Sequence, residues 1–343
     1  MHIPDGFLNA ATATATGVLA AAGLGVALHQ ARKTLPTRRV PLLGLSAAFV
    51  FAAQMLNFPV AGGTSGHLIG GVMTAALLGP SAAVIVISAV LIVQCFLFAD
   101  GGITALGGNI FNMALVGSVG GWAIYTVLSR LVKGLFGRVF AAVVAAWAST
   151  VLASIACAGE LATSGTVAWS VAFPAMAGVH MLIGIGEGII TALVLAAVAK
   201  TRPELLGLTI AAEPKPAPGE SASAPSVTLQ SAPPVGTMGR ERIGSLVVFG
   251  LLISLGLALF VSPFASAWPD GLDKTAEVLG FKDKESETRP VPAPVPDYKI
   301  PGIGSEGVAT GVAGAIGTVF VFGLAWGLAR VLVPKTGPHR RTK

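Results

Sequence analysis

Apolar residues run along this chain in long unbroken blocks, at 8–30, 40–58, 67–78, 81–98, 107–131, 139–157, 173–199, 243–261 and 308–333. A helix needs about 20 apolar residues to cross a bilayer, so the blocks predict nine spans, about seven before residue 200 and two after residue 242. The third block is short and only Gly79-Pro80 parts it from the fourth, so it is expected to be tilted, re-entrant or broken.

The polar stretches between the blocks are unequal. Arg32, Lys33, Arg38 and Arg39 follow the first block, Arg130, Lys133 and Arg138 the fifth, and Lys200 and Arg202 the seventh. The intervening stretches 59–66, 99–106 and 158–170 hold no Lys or Arg. Basic residues collect in short cytoplasmic loops, which puts the N-terminus outside and the end of the seventh span in the cytoplasm. Residues 201–242 contain EPKPAPGESASAPSVTLQSAPP, a composition that cannot bury a core and reads as a cytoplasmic linker. It separates a domain at 1–200 from a two-span domain at 243–343. In the latter, an outer segment at 262–306 carries Pro269-Asp270-Gly271 ahead of LDKTAEVLGF, a short amphipathic helix expected to lie on the outer membrane surface. The basic end KTGPHRRTK is expected in the cytoplasm.

Composition sharpens this into a fold class. With 53% hydrophobic residues, 11% charged and 44 glycines, the chain is an all-α polytopic membrane protein. The net charge of +6 is an orientation signal and gives no reason to invoke nucleic acid. Cys95 and Cys157 lie inside predicted spans and form no disulfide framework. No basic region precedes the first span, so a cleavable signal peptide is not expected, and the bulk of His2 favours retention of Met1.

Five histidines are the main candidates for chemistry, because an ionisable group in or beside a membrane is costly unless it has a task or a partner. His339 sits in the basic tail and His29 at the cytoplasmic end of the first span, both read as solvated side chains. His2 and His67 share the outer side: one begins the chain in MHIPDGFLN, the other ends the glycine-rich turn AGGTSGH. A terminal Met1-His2 pair offers an amine, an amide nitrogen and an imidazole as one chelating set, and a second imidazole completes four nitrogens. Such a planar set suits Ni(II) or Cu(II), with binding that weakens as pH falls. Pro4 and Asp5-Gly6 permit the terminus to fold back, and Gly62, Gly63 and Gly66 permit close approach from the other side.

The stretches MHIPDGFL, PLLGLSAAFVFAAQMLNFPVAGGTSGHLIGG, LLGPSAAVIVISAVLIVQCFLFADGGITALGGNIFNMALVG and GVHMLIGIGEGIITALV cover most of 1–200. In these residues the chain resembles the nickel/cobalt-binding M subunits, of the CbiM/NikM type, of energy-coupling factor (ECF) transporters. The segment Pro269 to Leu272 resembles the hallmark of the small N component, so the whole resembles a fused NikMN. The resemblance implies an ECF substrate-binding helical bundle of about seven spans plus a two-span part. It implies Ni2+, or Co2+, as the transported substrate, held by the Met1 amine, the His2 amide and imidazole, and the His67 imidazole. It implies no organic cofactor, a cytoplasmic membrane location in a bacterium or archaeon, and as partners a transmembrane coupling (T) subunit and cytoplasmic ATPases. No GxxxxGK[ST] loop occurs in the chain, so ATP hydrolysis is expected from those partners. The M–N fusion inclines the choice to nickel.

Other polar residues carry further expectations. Asn109, Asn112 and Asp100 are candidates to orient the imidazoles, against a plain capping role for the asparagines. His180 and Glu187, seven apart on one helix face, form a candidate intramembrane polar pair or a helix-to-helix bond. Ala48 and Ala52 form a small-xxx-small face, for a partner subunit or for internal packing. A reading of another class sets Ser65, in Gly63-Thr64-Ser65-Gly66 with Gly70, and His180 as the dyad of a rhomboid-like intramembrane protease. The serine's place in an outer turn and the late glycine at Gly184 weigh against it, as the scarcity of intramembrane charge weighs against a channel.

Overall fold

The computed structural model describes residues 1–206, 240–286 and 288–333; the linker between 207 and 239 and the basic tail with His339 lie outside the described residues. Helix α1 (Ala10–Thr34) starts where the Asn9 side chain accepts the Thr12 amide at 2.8 Å. Helix α2 (Val40–Gln54) returns, and a tight hairpin of β1 (Phe58–Val60) and β2 (Thr64–Gly66) follows. Next come α3 (Gly71–Leu78) and α4 (Pro80–Phe98), split by Gly79 at φ 93° with Pro80 opening the second helix. One long span is built from α5 (Leu106–Asn109), a π-helical stretch Ile110–Gly120 and α6 (Gly121–Leu131). Helices α7 (Gly134–Thr163) and α8 (Trp169–Thr201) form a long antiparallel pair.

The C-terminal part contributes α9 (Arg240–Gly256), the short α10 (Gly271–Leu279) and α11 (Glu306–Leu332). Seven helical segments are long and apolar enough to cross a membrane: 10–34, 80–98, 106–131, 134–163, 169–201, 243–264 and 306–332. Nine spans were expected. The blocks at 40–58 and 67–78 instead form helices of 15 and 8 residues, shorter than the roughly 20 a crossing requires. Their apolarity has another cause: most of α2 and α3 is buried among the other helices.

The two parts are packed together. Helix α11 lies against α2, and a Cβ added at Gly44 would come within 2.9 Å of the Phe322 carbonyl oxygen, so a side chain there would force the helices apart. Ala48 and Ala52 on α2 are fully buried within this one chain, so they are not an open docking face for another subunit. The 262–305 segment crosses the end of the bundle opposite the basic turns. Arg289 donates to the carbonyls of Ala99, Cys95 and Gly101, and the Ser286 amide donates to the Asp5 carbonyl. Helix α10 does not lie out on the surface as its amphipathic sequence predicts. Gly271, Leu272, Thr275 and Ala276 are buried, and the helix packs on α8 and β2.

Candidate metal centre

The first seven residues are threaded into the protein, with Ile3 and Phe7 fully buried. Asn109 holds this strand at both faces of Ile3. Its Oδ1 accepts the Ile3 amide at 2.7 Å and its Nδ2 donates to the Ile3 carbonyl at 3.1 Å, while the Gly102 amide donates to the same carbonyl at 2.8 Å. The reversal after His2 is set by Asp5, whose Oδ1 accepts the Thr104 amide at 2.8 Å and its hydroxyl at 2.6 Å. Gly6 takes φ 95°, and a Cβ there would lie 2.3 Å from the Lys284 carbonyl oxygen, so both the turn and the crossing chain require glycine. Among the described residues the His2 amide N–H makes no hydrogen bond, whereas its neighbour Ile3 is pinned.

This threading brings Met1, His2 and His67 together. The Met1 amine lies 3.3 Å from His67 Nε2, close to the roughly 3 Å edge of a square of nitrogens around metal–nitrogen bonds of about 2 Å. The two imidazoles are stacked, with centroids 5.1 Å apart and planes inclined by 24°. His67 Nδ1 faces the Leu68 carbonyl at 3.1 Å, a contact made by an N–H, which leaves the Nε2 lone pair for the amine or an ion. The His2 ring lies between Asp100 Oδ1, 3.2 Å from Nδ1, and Gln94 Oε1, 3.2 Å from Nε2. Tyr298 donates to the other Asp100 oxygen at 2.6 Å.

A carboxylate joins this cluster from the distant end of the chain. Asp270 forms an ion pair with the Met1 amine, and one ligand atom each from His2, His67 and Asp270 lie within 4.8 Å of one another. These groups face a cleft of about 1110 Å3 that opens between the hairpin side and the 262–306 segment.

Electrostatics prepare the ring nitrogens. Burial, and then the adjacent terminal ammonium, push the His67 imidazole down to about 3. Burial also lowers the His2 imidazole, against the opposing pull of Asp100. Burial by itself raises the Asp270 carboxyl, but the ammonium and the α10 amides outweigh it and hold the acid well below its usual range. At neutral pH the His67 ring is therefore uncharged and its Nε2 lone pair is free for an ion, and burial biases His2 in the same direction.

The family comparison now adds to this geometry. The model for CbiM, the cobalt uptake substrate-specific transmembrane region, matches residues 2–205. The chain belongs to the CbiM family. A PDGLE domain matches residues 244–334, beyond the CbiM region. A putative fused nickel transport protein NikMN of Archaeoglobus fulgidus is 35% identical over 96% of this chain and 98% of its own length. A fused nickel transport protein NikMN of Rhodobacter capsulatus is 38% identical over 60% of this chain and 64% of its own length. The crystal structure of a truncated transition metal transporter is 33% identical, covers 59% of this chain and 99% of that one, and superposes with a TM-score of 0.54. This CbiM-family chain is a multi-pass membrane component of nickel/cobalt transport.

The remaining candidates fall in other places. Asn112 donates to a Glu160 carboxylate oxygen at 2.8 Å, its side-chain bond among the described residues being to Glu160 and not to an imidazole. His180 and Glu187 are not partners of each other: His180 Nδ1 faces the Met176 carbonyl at 2.8 Å, and Glu187 accepts the Ile69 and Gly70 amides at 2.6 and 2.9 Å. Seven residues along a helix is about 10 Å, enough to give each its own neighbour on a shared face. The Ser65–His180 dyad is likewise not formed, since the buried Ser65 hydroxyl donates to the Trp268 carbonyl at 2.7 Å.

Gln94 and Asp270 contact His2 and the Met1 amine, and Glu187 holds the turn after His67, none of them singled out from the sequence for this cluster. A lone glutamine within the apolar stretch ISAVLIVQCFLF is the signal that marked Gln94. Asp270 had only its own turn to mark it. Replacing Asn109 by Ala removes both side-chain bonds to Ile3; nickel affinity is expected to fall about 10- to 100-fold with the absorption band of the bound ion unchanged. Titration followed by absorption checks this, and full affinity in the variant shows the strand needs no such hold.

Proposed function

We propose that this chain is the substrate-binding component of an ECF-type importer and captures Ni2+, or Co2+, at the outer face. The ligands are the Met1 amine, the His2 amide nitrogen and imidazole, and the His67 imidazole. The observation that carries the reading is the convergence of the terminal amine on His67 Nε2 at 3.3 Å beside the stacked His2 ring. Chelation by the amine, amide and imidazole of one residue pair uses Nδ1 of His2, which here faces Asp100. The full set requires that ring to turn Nδ1 towards the other donors.

The amide, made acidic only by a strongly polarising ion, gives the set its planarity, and tetragonal preference favours nickel over cobalt. The names of the two fused relatives, both nickel transport proteins, support that order. The first module, 1–200, holds the ion; a cytoplasmic linker at 201–242 joins it to the second, 243–343. The N-terminus lies outside and the C-terminus inside, as the basic turns indicate. A transmembrane coupling subunit and cytoplasmic ATPases drive the inward step, consistent with the absence of a phosphate-binding loop in this chain. The assembly test is ATP-dependent metal uptake by vesicles holding all subunits; uptake by this chain alone contradicts it.

Proton bookkeeping tests the ligand set. With His67 pushed down to about 3, its ring is neutral at pH 7 and releases nothing on binding; protons compete there only as pH falls towards that value. The amide nitrogen ligates only after losing its proton, so binding at neutral pH should release at least one proton per ion. Calorimetry in buffers of different ionisation enthalpy reads this number. A release near zero rules out the amide ligand.

A further inference from the structure

The carboxylate of Asp270 enters the metal centre from the second module, some 200 residues after His67 in the chain. Two facts fix its direction. One oxygen, Oδ1, caps α10 by accepting the Leu272 and Asp273 amides at 2.8 and 2.9 Å, which leaves Oδ2 on the Met1 amine. The turn that bears it is bonded to strand β2, which leads directly into His67: the Ser65 amide donates to the Pro269 carbonyl at 2.8 Å and the Ser65 hydroxyl to the Trp268 carbonyl at 2.7 Å. Gly271 lies so close to α8 that a Cβ would come within 2.8 Å of His180 Cε1, and Leu272 is fully buried, so the turn cannot slide. Every residue of Pro269-Asp270-Gly271-Leu272 thus has a separate part in holding one oxygen in place.

An amine that coordinates an ion loses one proton and keeps two N–H bonds. A fixed acceptor for one of them sets where the lone pair points. Here the acceptor is Asp270 Oδ2, and His67 Nε2 lies 3.3 Å from the same amine. We propose that Asp270 is a positioning residue for the terminal amine, so that the second module completes the metal site of the first. This inference rests on the amine being a ligand, as proposed above. It gives the fusion of the two modules a chemical reason: the oxygen is delivered in cis, at fixed stoichiometry with the nitrogens it serves.

The test uses the full chain with an unmodified terminus, with nickel as the probe. Asp270→Asn keeps the cap through its one amide oxygen but turns an NH2 group, which cannot accept, towards the amine. Asp270→Ser keeps the cap but is too short to reach the amine, and Asp270→Ala loses both. His67→Ala is measured beside them. Loss of the hydrogen bond from the amine ligand is expected to weaken nickel binding about 10- to 100-fold in all three variants. The visible absorption band at saturation should match the unaltered chain in all three, because the four nitrogens remain. Full affinity in Asp270→Ser overturns the proposal. A displaced band in Asp270→Asn also overturns it, by making the carboxylate a direct ligand. Full affinity in His67→Ala refutes the underlying site instead, and the proposal falls with it.

Discussion

Adding a single residue ahead of Met1 is expected to lower nickel affinity at least about 1000-fold, about 4 kcal/mol at 1.4 kcal/mol per tenfold step. Three losses coincide. The amine becomes an amide and no longer presents a basic lone pair towards His67 Nε2. Its positive charge leaves Asp270, whose carboxylate is then partly buried without its ion-pair partner. Room is also lacking, since Met1 is only 5% exposed and the added residue must displace the cleft wall or the strand. Titration of the purified extended chain beside one with a confirmed native terminus decides the matter. Equal affinities in the two would falsify the terminal-amine ligand and with it the planar four-nitrogen site. A chain whose extension is removed by a specific protease should regain full binding, which separates loss of the ligand from misfolding.

Replacement of Glu187 by Ala is expected to have the next largest effect, on stability as well as affinity. The Glu187 side chain is wholly buried on α8 and accepts the amides of Ile69 and Gly70, the two groups that open the N-terminus of α3. Helix N-termini expose unpaired amides and carry partial positive charge, so an acceptor there is favourable and its removal leaves two buried donors unsatisfied. At about 1–3 kcal/mol for each, the loss is about 2–6 kcal/mol. His67 stands just before this anchored turn, and Gly70 holds φ 77°, a conformation that fits glycine, so the segment has no easy alternative course. The melting temperature in detergent should fall together with nickel affinity, and Glu187→Gln, which keeps one acceptor oxygen, should lie between. Unaltered melting and binding in Glu187→Ala would remove this carboxylate from any account of the site.

The pairing of His180 with Glu187 shows why such effects are hard to read from spacing. Two polar residues seven apart do share a helix face, but a buried polar group bonds whatever donor or acceptor is nearest in space. For Glu187 that is the backbone beyond His67; for His180 it is the Met176 carbonyl one turn back. Asn109 and Asn112 part in the same way, one to the Ile3 backbone and the other to Glu160. The apolar blocks were a firmer guide, because seven of them had no environment except lipid or other helices in which to lie. The blocks containing α2 and α3 carried the same signal for a different reason, burial inside the protein, and composition does not separate the two.

By itself the sequence determined the membrane class, the division into two hydrophobic parts, the one-sided basic turns and the candidate nitrogen donors of Met1, His2 and His67. Each follows from chemistry local to a residue or a run: apolar length, charge bias, or the donors that one terminal dipeptide carries. Only the tertiary structure decided that Asp270 meets the Met1 amine, that Gln94 and Asp100 flank His2, that Glu187 secures the turn after His67, and that α10 is docked inward. Those contacts join positions dozens to hundreds of residues apart. What brings them together is the packing of whole helices, in which glycine contacts such as Gly44 against Phe322 and Gly271 against His180 set how closely the elements can approach.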